Sequence, residues 1–119
     1  MYYPALEDVK KMAGRGNAVP VYREIVADLD TPVSAFLKVN RRGHSFLLES
    51  VEGGERLARY SFIGTNPYKI LTTWGKDKTD PLPAIKEEIQ KYNIVPLQGL
   101  PQFLGGAVGF LSYEAVARF

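Results

Sequence analysis

Apolar residues recur along the chain in two rhythms. Leu6, Val9, Met12 and Ala13 keep helical spacing, Pro4 suits a first helical position and Gly14 suits the stop, so the pattern predicts a short helix over residues 4–13. A second helix is predicted after Thr31-Pro32, where a hydroxyl cap precedes proline at the first helical position. Val33, Phe36 and Leu37 share one face there, and Gly43 ends a run of about two turns. Asp80-Pro81 opens a third helix, in which Leu82, Ile85, Ile89 and Tyr92 form one stripe while Lys86, Glu87, Glu88 and Lys91 fall elsewhere. That amphipathic pattern predicts a helix packed on a sheet.

The other rhythm is that of strands. Ser45 to Ser50, Tyr60 to Gly64 and Tyr68 to Trp74 are short aromatic and aliphatic runs bounded by Glu52-Gly53-Gly54, Asn66-Pro67 and Gly75. They read as three consecutive antiparallel strands. The β-branched residues of Val19-Pro20-Val21-Tyr22 predict a further strand, and Gly105 to Tyr113 alternates small and large residues as a strand in a crowded sheet would. Strands outnumber helices and the connections are too short for parallel crossovers. The expected class is α+β, with a mostly antiparallel sheet and helices on its outer face. A Gly-rich strand so close to Phe119 is short of partners, which points to a fragment whose remaining strands lie downstream.

Composition narrows the function classes. The chain has 119 residues, 45% hydrophobic and 24% charged, near the average of a globular domain and of a size that suits one domain or part of one. No apolar run approaches the roughly 20 residues of a membrane span, and residues 1–12 lack the basic-then-apolar order of a signal peptide. With no cysteine, disulfides, zinc-thiolate sites, iron–sulfur clusters and a thiol nucleophile are excluded, and a reducing cytoplasm fits. A net charge of +2, with bases scattered singly or in pairs such as Arg41-Arg42, is too small for a nucleic-acid footprint. Neither nucleic acid nor membrane is expected as a partner.

Few residues carry reactive chemistry. The single histidine, His44, has no second histidine or carboxylate at metal-ligand spacing and reads as a surface or structural residue. Gly105-Gly106-Ala107-Val108-Gly109 lacks the Lys-Ser/Thr and the helix start of a phosphate loop, so close backbone packing explains it better. Ser45 to Ser50 differs, because an apolar strand ending on a carboxylate and a hydroxyl sets two polar groups beside apolar surface. Glu49 could pair with an ammonium and Ser50 could hydrogen-bond either end of a zwitterion, although strand alternation sends the two to opposite faces. A solvated strand end before the Gly53-Gly54 turn is the plainer alternative. Arg59, beside Tyr60, suits a carboxylate ligand, the Glu49 side chain or an ordinary surface ion pair.

Taken in order, Leu47-Leu48-Glu49-Ser50, Ala58-Arg59-Tyr60-Ser61-Phe62-Ile63-Gly64 and Gly105 to Glu114 resemble the N-terminal region of anthranilate synthase component I, a member of the chorismate-utilising enzymes. Thr31-Pro32-Val33 and Asp80-Pro81-Leu82 fit the same pattern, so the resemblance runs from about Val19 onward. It implies that residues 1–119 are the N-terminal, regulatory region of a larger two-sheet fold, with the catalytic C-terminal part of the same chain as a partner. In that family the Leu-Leu-Glu-Ser strand end lines the pocket for L-tryptophan, the feedback inhibitor. The resemblance therefore makes Ser50, Glu49 and Leu48 regulatory-site candidates, with Arg59 and Tyr60 as possible support behind them.

The family converts chorismate to anthranilate and pyruvate, a lyase reaction that uses magnesium and ammonia from a glutamine amidotransferase subunit. Its chorismate- and magnesium-binding motifs belong to the C-terminal part and do not occur here, so the 119 residues are expected to bind no magnesium and to be inactive alone. One departure is the connection before Asp80-Pro81, where only Lys76 to Thr79 stand in place of a longer variable loop. Aminodeoxychorismate synthase component I shares the architecture and is the nearest alternative. A stand-alone amino-acid-binding module and a purely structural domain are alternatives from other classes, which predict respectively tryptophan binding without an attached enzyme and no small-molecule binding at all.

Overall fold

The computed structural model describes residues 1–49, 60–74 and 79–118. Their elements are α1 (Leu6–Met12), α2 (Pro32–Val39), β1 (Ser45–Glu49), β2 (Ser61–Thr65), α3 (Leu82–Gln90) and a closing 3-10 helix (Tyr113–Arg118). No helix is long and apolar enough to cross a membrane among the described residues. The α+β class holds, with a sheet of two antiparallel strands. The chain divides into two compact units, one formed by residues 25–70 and the other by residues 1–24 with 71–119.

In the 25–70 unit, local chemistry sets the entry to α2. Ser34 N–H donates to Thr31 Oγ1 at 3.1 Å and Thr31 N–H donates to Ser34 Oγ at 2.9 Å, so the two residues cap each other while Pro32 needs no N–H partner. Ser34 Oγ and Lys38 Nζ both lie within hydrogen-bond reach of Asp30 Oδ1, at 2.8 and 2.6 Å. The helix stops at Asn40, three residues before the predicted stop, and Ser45 Oγ donates to Asn40 Oδ1 at 2.7 Å, tying the helix end to the start of β1. Gly43, at φ +136°, makes the turn between them in a region that favours glycine. β1 and β2 pair from Ser45↔Thr65 to Glu49↔Ser61, and α2 packs on both strands. Phe46 lies opposite Gly64, and its ring fills the space where a β-carbon on Gly64 would stand.

The Lys38 ammonium and the Ser34 hydroxyl hold the Asp30 carboxyl below its ordinary value of 3.8. A carboxylate whose pKa is lowered in the folded state stabilises that state above its unfolded pKa and loses the contribution as pH falls through the folded value. Urea titrations at pH 6 and pH 3 should therefore show Asp30→Asn less stable than the parent at pH 6 and a smaller gap at pH 3. A gap independent of pH would remove the carboxylate from this role.

The predicted third strand over 68–74 does not form. A type I′ hairpin turn needs positive φ at both central positions, which Pro67, fixed near φ −65°, cannot supply after Asn66 at φ +51°, and Pro67 has no N–H to give a ladder. The Val19-to-Tyr22 strand is likewise reduced to isolated bridges, Ala18↔Ile94 and Tyr3↔Tyr22, because Pro20 between them has no N–H to give. Gly105 to Tyr113 carries no ladder either. Gly105 and Gly106 take positive φ, outside the strand region, and Phe110 is 94% exposed.

The second unit is held at residues 16–18 and 91–95. Asn17 N–H donates to the Asn93 carbonyl at 3.0 Å, and Val95 N–H donates to the Ala18 carbonyl at 2.9 Å. The Asn17 side chain clamps both sides of the turn, donating to the Lys91 carbonyl and accepting from Asn93 N–H, each at 2.6 Å. Val95, 1% exposed, and Pro81 are the buried positions among the described residues. α3 carries the predicted stripe and Asp80 accepts from Leu82 N–H at 2.9 Å, as an opening carboxylate should. The predicted packing of this helix on a sheet has no counterpart within its unit, where Leu82, Ile89 and Tyr92 remain exposed. α1 begins two residues later than predicted, with Pro4 ahead of its cap. It is an exposed helix laced by Lys10–Glu7 and Lys11–Asp8.

Candidate functional site

Leu48, Glu49 and Tyr60 are described, whereas Ser50 and Arg59 lie outside the described residues. The ladder places Leu48 opposite Phe62 and Glu49 opposite Ser61, at the end of the strand pair nearest the 50–59 connection. Alternation puts Leu48 and Phe62 on one face and Glu49 with Ser61 on the other. The Tyr60 ring lies 6.2 Å from the Phe62 ring, centroid to centroid, tilted by 35°. Leu48, Phe62 and Tyr60 thus form a short apolar shelf, in which Leu48 is 46% and Tyr60 40% exposed.

This shelf is suited to a flat apolar group, since offset and tilted aromatic pairs at 4.5 to 7 Å are favourable arrangements. Glu49 closes the strand with an exposed carboxylate that has no ion-pair partner among the described residues. It is the last ladder residue and stands on the face opposite the shelf, so a ligand meets both only by reaching past the strand end. Phe62 was not among the candidates read from the sequence. The signal was present, since a residue two positions beyond Tyr60 on a strand shares its face. Among the described residues no three of His, Asp and Glu gather as metal ligands would.

The described residues form an α+β region whose exposed strand end carries an apolar shelf on one face and a carboxylate on the other, and comparison with known proteins shows what the chain resembles. The "Probable anthranilate synthase component 1" of Schizosaccharomyces pombe is 46% identical over 98% of this chain, which spans 24% of that protein. Anthranilate synthase component 1 of Acetivibrio thermocellus is 40% identical over 100% of the chain and 27% of the relative. The same component of Aquifex aeolicus is 40% identical over 94% of the chain and 26% of the relative. The chain is similar to anthranilate synthase component 1 over nearly its whole length and corresponds to the N-terminal region of that protein. It spans about a quarter of the length of these relatives. No protein-family profile and no solved structure matches the chain. The match to the A. thermocellus protein runs over 133 positions against the 119 residues of the chain, which agrees with a shortened connection somewhere along it.

Proposed function

We propose that residues 1–119 are the regulatory N-terminal region of an anthranilate synthase component I that converts chorismate, with ammonia from a glutamine amidotransferase subunit, to anthranilate and pyruvate. In this reading the parent is a cytoplasmic lyase that uses magnesium held by its C-terminal catalytic part. The region itself binds no metal and turns over no chorismate. Leu48, Glu49 and Ser50 bind L-tryptophan as feedback inhibitor, with Arg59 and Tyr60 behind them. The observation that carries the reading is the β1 end, where the Leu48–Phe62–Tyr60 shelf lies exposed on one face and the strand closes on the other with the Glu49 carboxylate, which has no ion-pair partner among the described residues.

The chemistry follows from that juxtaposition. Tryptophan offers a flat indole to the shelf and, reaching past the strand end to the other face, an ammonium to Glu49, and the Ser50 hydroxyl is a donor for its carboxylate. Inhibition then requires that tryptophan favour one arrangement of the regulatory region against the catalytic part, since only a differential affinity shifts an equilibrium. The exposed stripe of α3 and the unladdered residues 105–113 are apolar surfaces that the larger two-sheet fold would cover.

Calorimetric titration of the complete protein tests this reading. L-Tryptophan should bind saturably, L-phenylalanine much more weakly, and Glu49→Gln should weaken tryptophan about tenfold, the order expected for losing a charge-assisted hydrogen bond. Equal binding of both amino acids, or tryptophan affinity untouched by Glu49→Gln, would overturn it.

A further inference from the structure

We infer that the cleft between the α2–β1 turn and the turn after β2 is a binding site for a small oxyanion, bearing carboxylate or phosphate groups. Arg41, Arg42, His44, Thr65, Asn66 and Ile70 line this cleft of about 300 Å³, and no aspartate or glutamate does. Neither arginine has a carboxylate within ion-pair distance among the described residues, although Lys38, one turn earlier, is already engaged by Asp30 at 2.6 Å. Two adjacent guanidinium groups present planar forks that match oxyanions two bonds at a time, and the Thr65 hydroxyl and Asn66 amide add neutral donors. Ile70 supplies one apolar wall.

The frame of the cleft is preset. Ser45↔Thr65 is the first pair of the ladder, Ser45 Oγ binds Asn40, and the turns on the two sides are shaped by Gly43 at φ +136° and Asn66 at φ +51°. A volume of 300 Å³ lies at the small end of ligand pockets, which fits inorganic phosphate or a short dicarboxylate rather than a nucleotide. The site is distinct from the Leu48–Glu49 end. The length of β1 separates them, about 13 Å at the usual rise per residue. This inference does not depend on the tryptophan reading.

A competing account is that Arg41 and Arg42 simply complement the negative end of the α2 dipole, which requires no ligand. His44 discriminates between the two, because it lines the cleft and is the one histidine in these 119 residues. The complete protein, labelled at histidine, is titrated with inorganic phosphate and separately with succinate, at fixed pH and with sodium chloride holding ionic strength constant. The His44 ring signals should move saturably with at least one of the two anions, and the stronger identifies the preferred group. Arg41→Ala/Arg42→Ala should weaken that binding tenfold or more. Arg15→Ala, which removes an exposed charge elsewhere, should leave it unchanged, and circular dichroism should show every variant folded. Absence of a saturable shift with both anions overturns the site, as does an equal loss in Arg15→Ala. Should the double variant fail to fold, Arg42→Gln is read instead, and unaltered binding in that variant overturns the site.

Discussion

Replacing Gly16 by alanine is expected to destabilise the chain by about 2 to 4 kcal/mol, from overpacking together with lost hydrogen bonds. A β-carbon there would overlap the Asn93 backbone carbonyl oxygen and stand 3.1 Å from Val95 Cγ2. A flexible side chain could swing aside, but a backbone carbonyl cannot move without taking its neighbours with it. The same displacement would strain the Asn17–Asn93 backbone bond, both Asn17 side-chain bonds and the Val95–Ala18 bond. It would also open the one hydrophobic side chain that the described residues bury. Gly14 is the control, because a β-carbon there meets nothing within 4 Å, and Gly14→Ala should be neutral or slightly stabilising through the unfolded state. Denaturant titration of both variants in the complete protein reads the contrast. Equal midpoints would mean that residues 16–18 and 91–95 are not held together as described.

In the complete protein, Ser50→Ala is expected to raise the tryptophan concentration that half-inhibits chorismate turnover by tenfold or more. The magnitude follows from the 1.5 to 3 kcal/mol that a hydrogen bond to a charged ligand group typically contributes. A bulkier residue such as Ser50→Phe should act at least as strongly, by filling the space the ligand needs. Steady-state inhibition curves at several tryptophan concentrations measure the effect. A shift smaller than twofold in both variants would take Ser50 out of the site and leave the β1 end as a solvated strand terminus.

What could be read beforehand divides along physical lines. α2 and α3 were legible because their signals are local: Thr31-Pro32 brings a capping oxygen and a first-turn proline, while at α3 Pro81 takes the cap position itself and Asp80 just ahead of it accepts from Leu82 N–H, and nothing distant is needed to satisfy them. β1 and β2 were legible because two short apolar runs of similar length face each other across one connection. Residues 68–74 and 105–113 have equally good strand composition, yet strand formation depends on a neighbouring backbone offering its N–H and C=O groups. Composition reports the fitness of a segment for a sheet and cannot supply the partner. The small helical shortfalls at Pro4 and Gly43 are of the ordinary kind, since chain ends of helices depend on cap geometry.

The candidate site was legible to a similar depth. Leu48 and Glu49 stand at the strand end as expected, and Glu49 is exposed. Phe62 joined them only once the register was known, because which residue of β2 faces Leu48 depends on a pairing that changes face with a slip of one residue. The oxyanion cleft was not visible in the sequence at all. Arg41-Arg42 reads as an ordinary basic pair until the Ser45↔Thr65 pairing brings Asn66 and Ile70 across from it.

The Asn17 clamp bears on the order in which the chain can organise itself. Residues 25–70 are continuous in sequence, so α2, β1 and β2 find their partners over short loops. The clamp joins positions 74 and 76 residues apart, and Val95 is reached only after all of the intervening chain. Loop-closure entropy and contact order both place such a junction late. During synthesis residues 16–18 wait for their partners until position 95 has emerged, while residues 25–70 are free to form. Residues 1–24 therefore gain their structure later than residues 25–70 do.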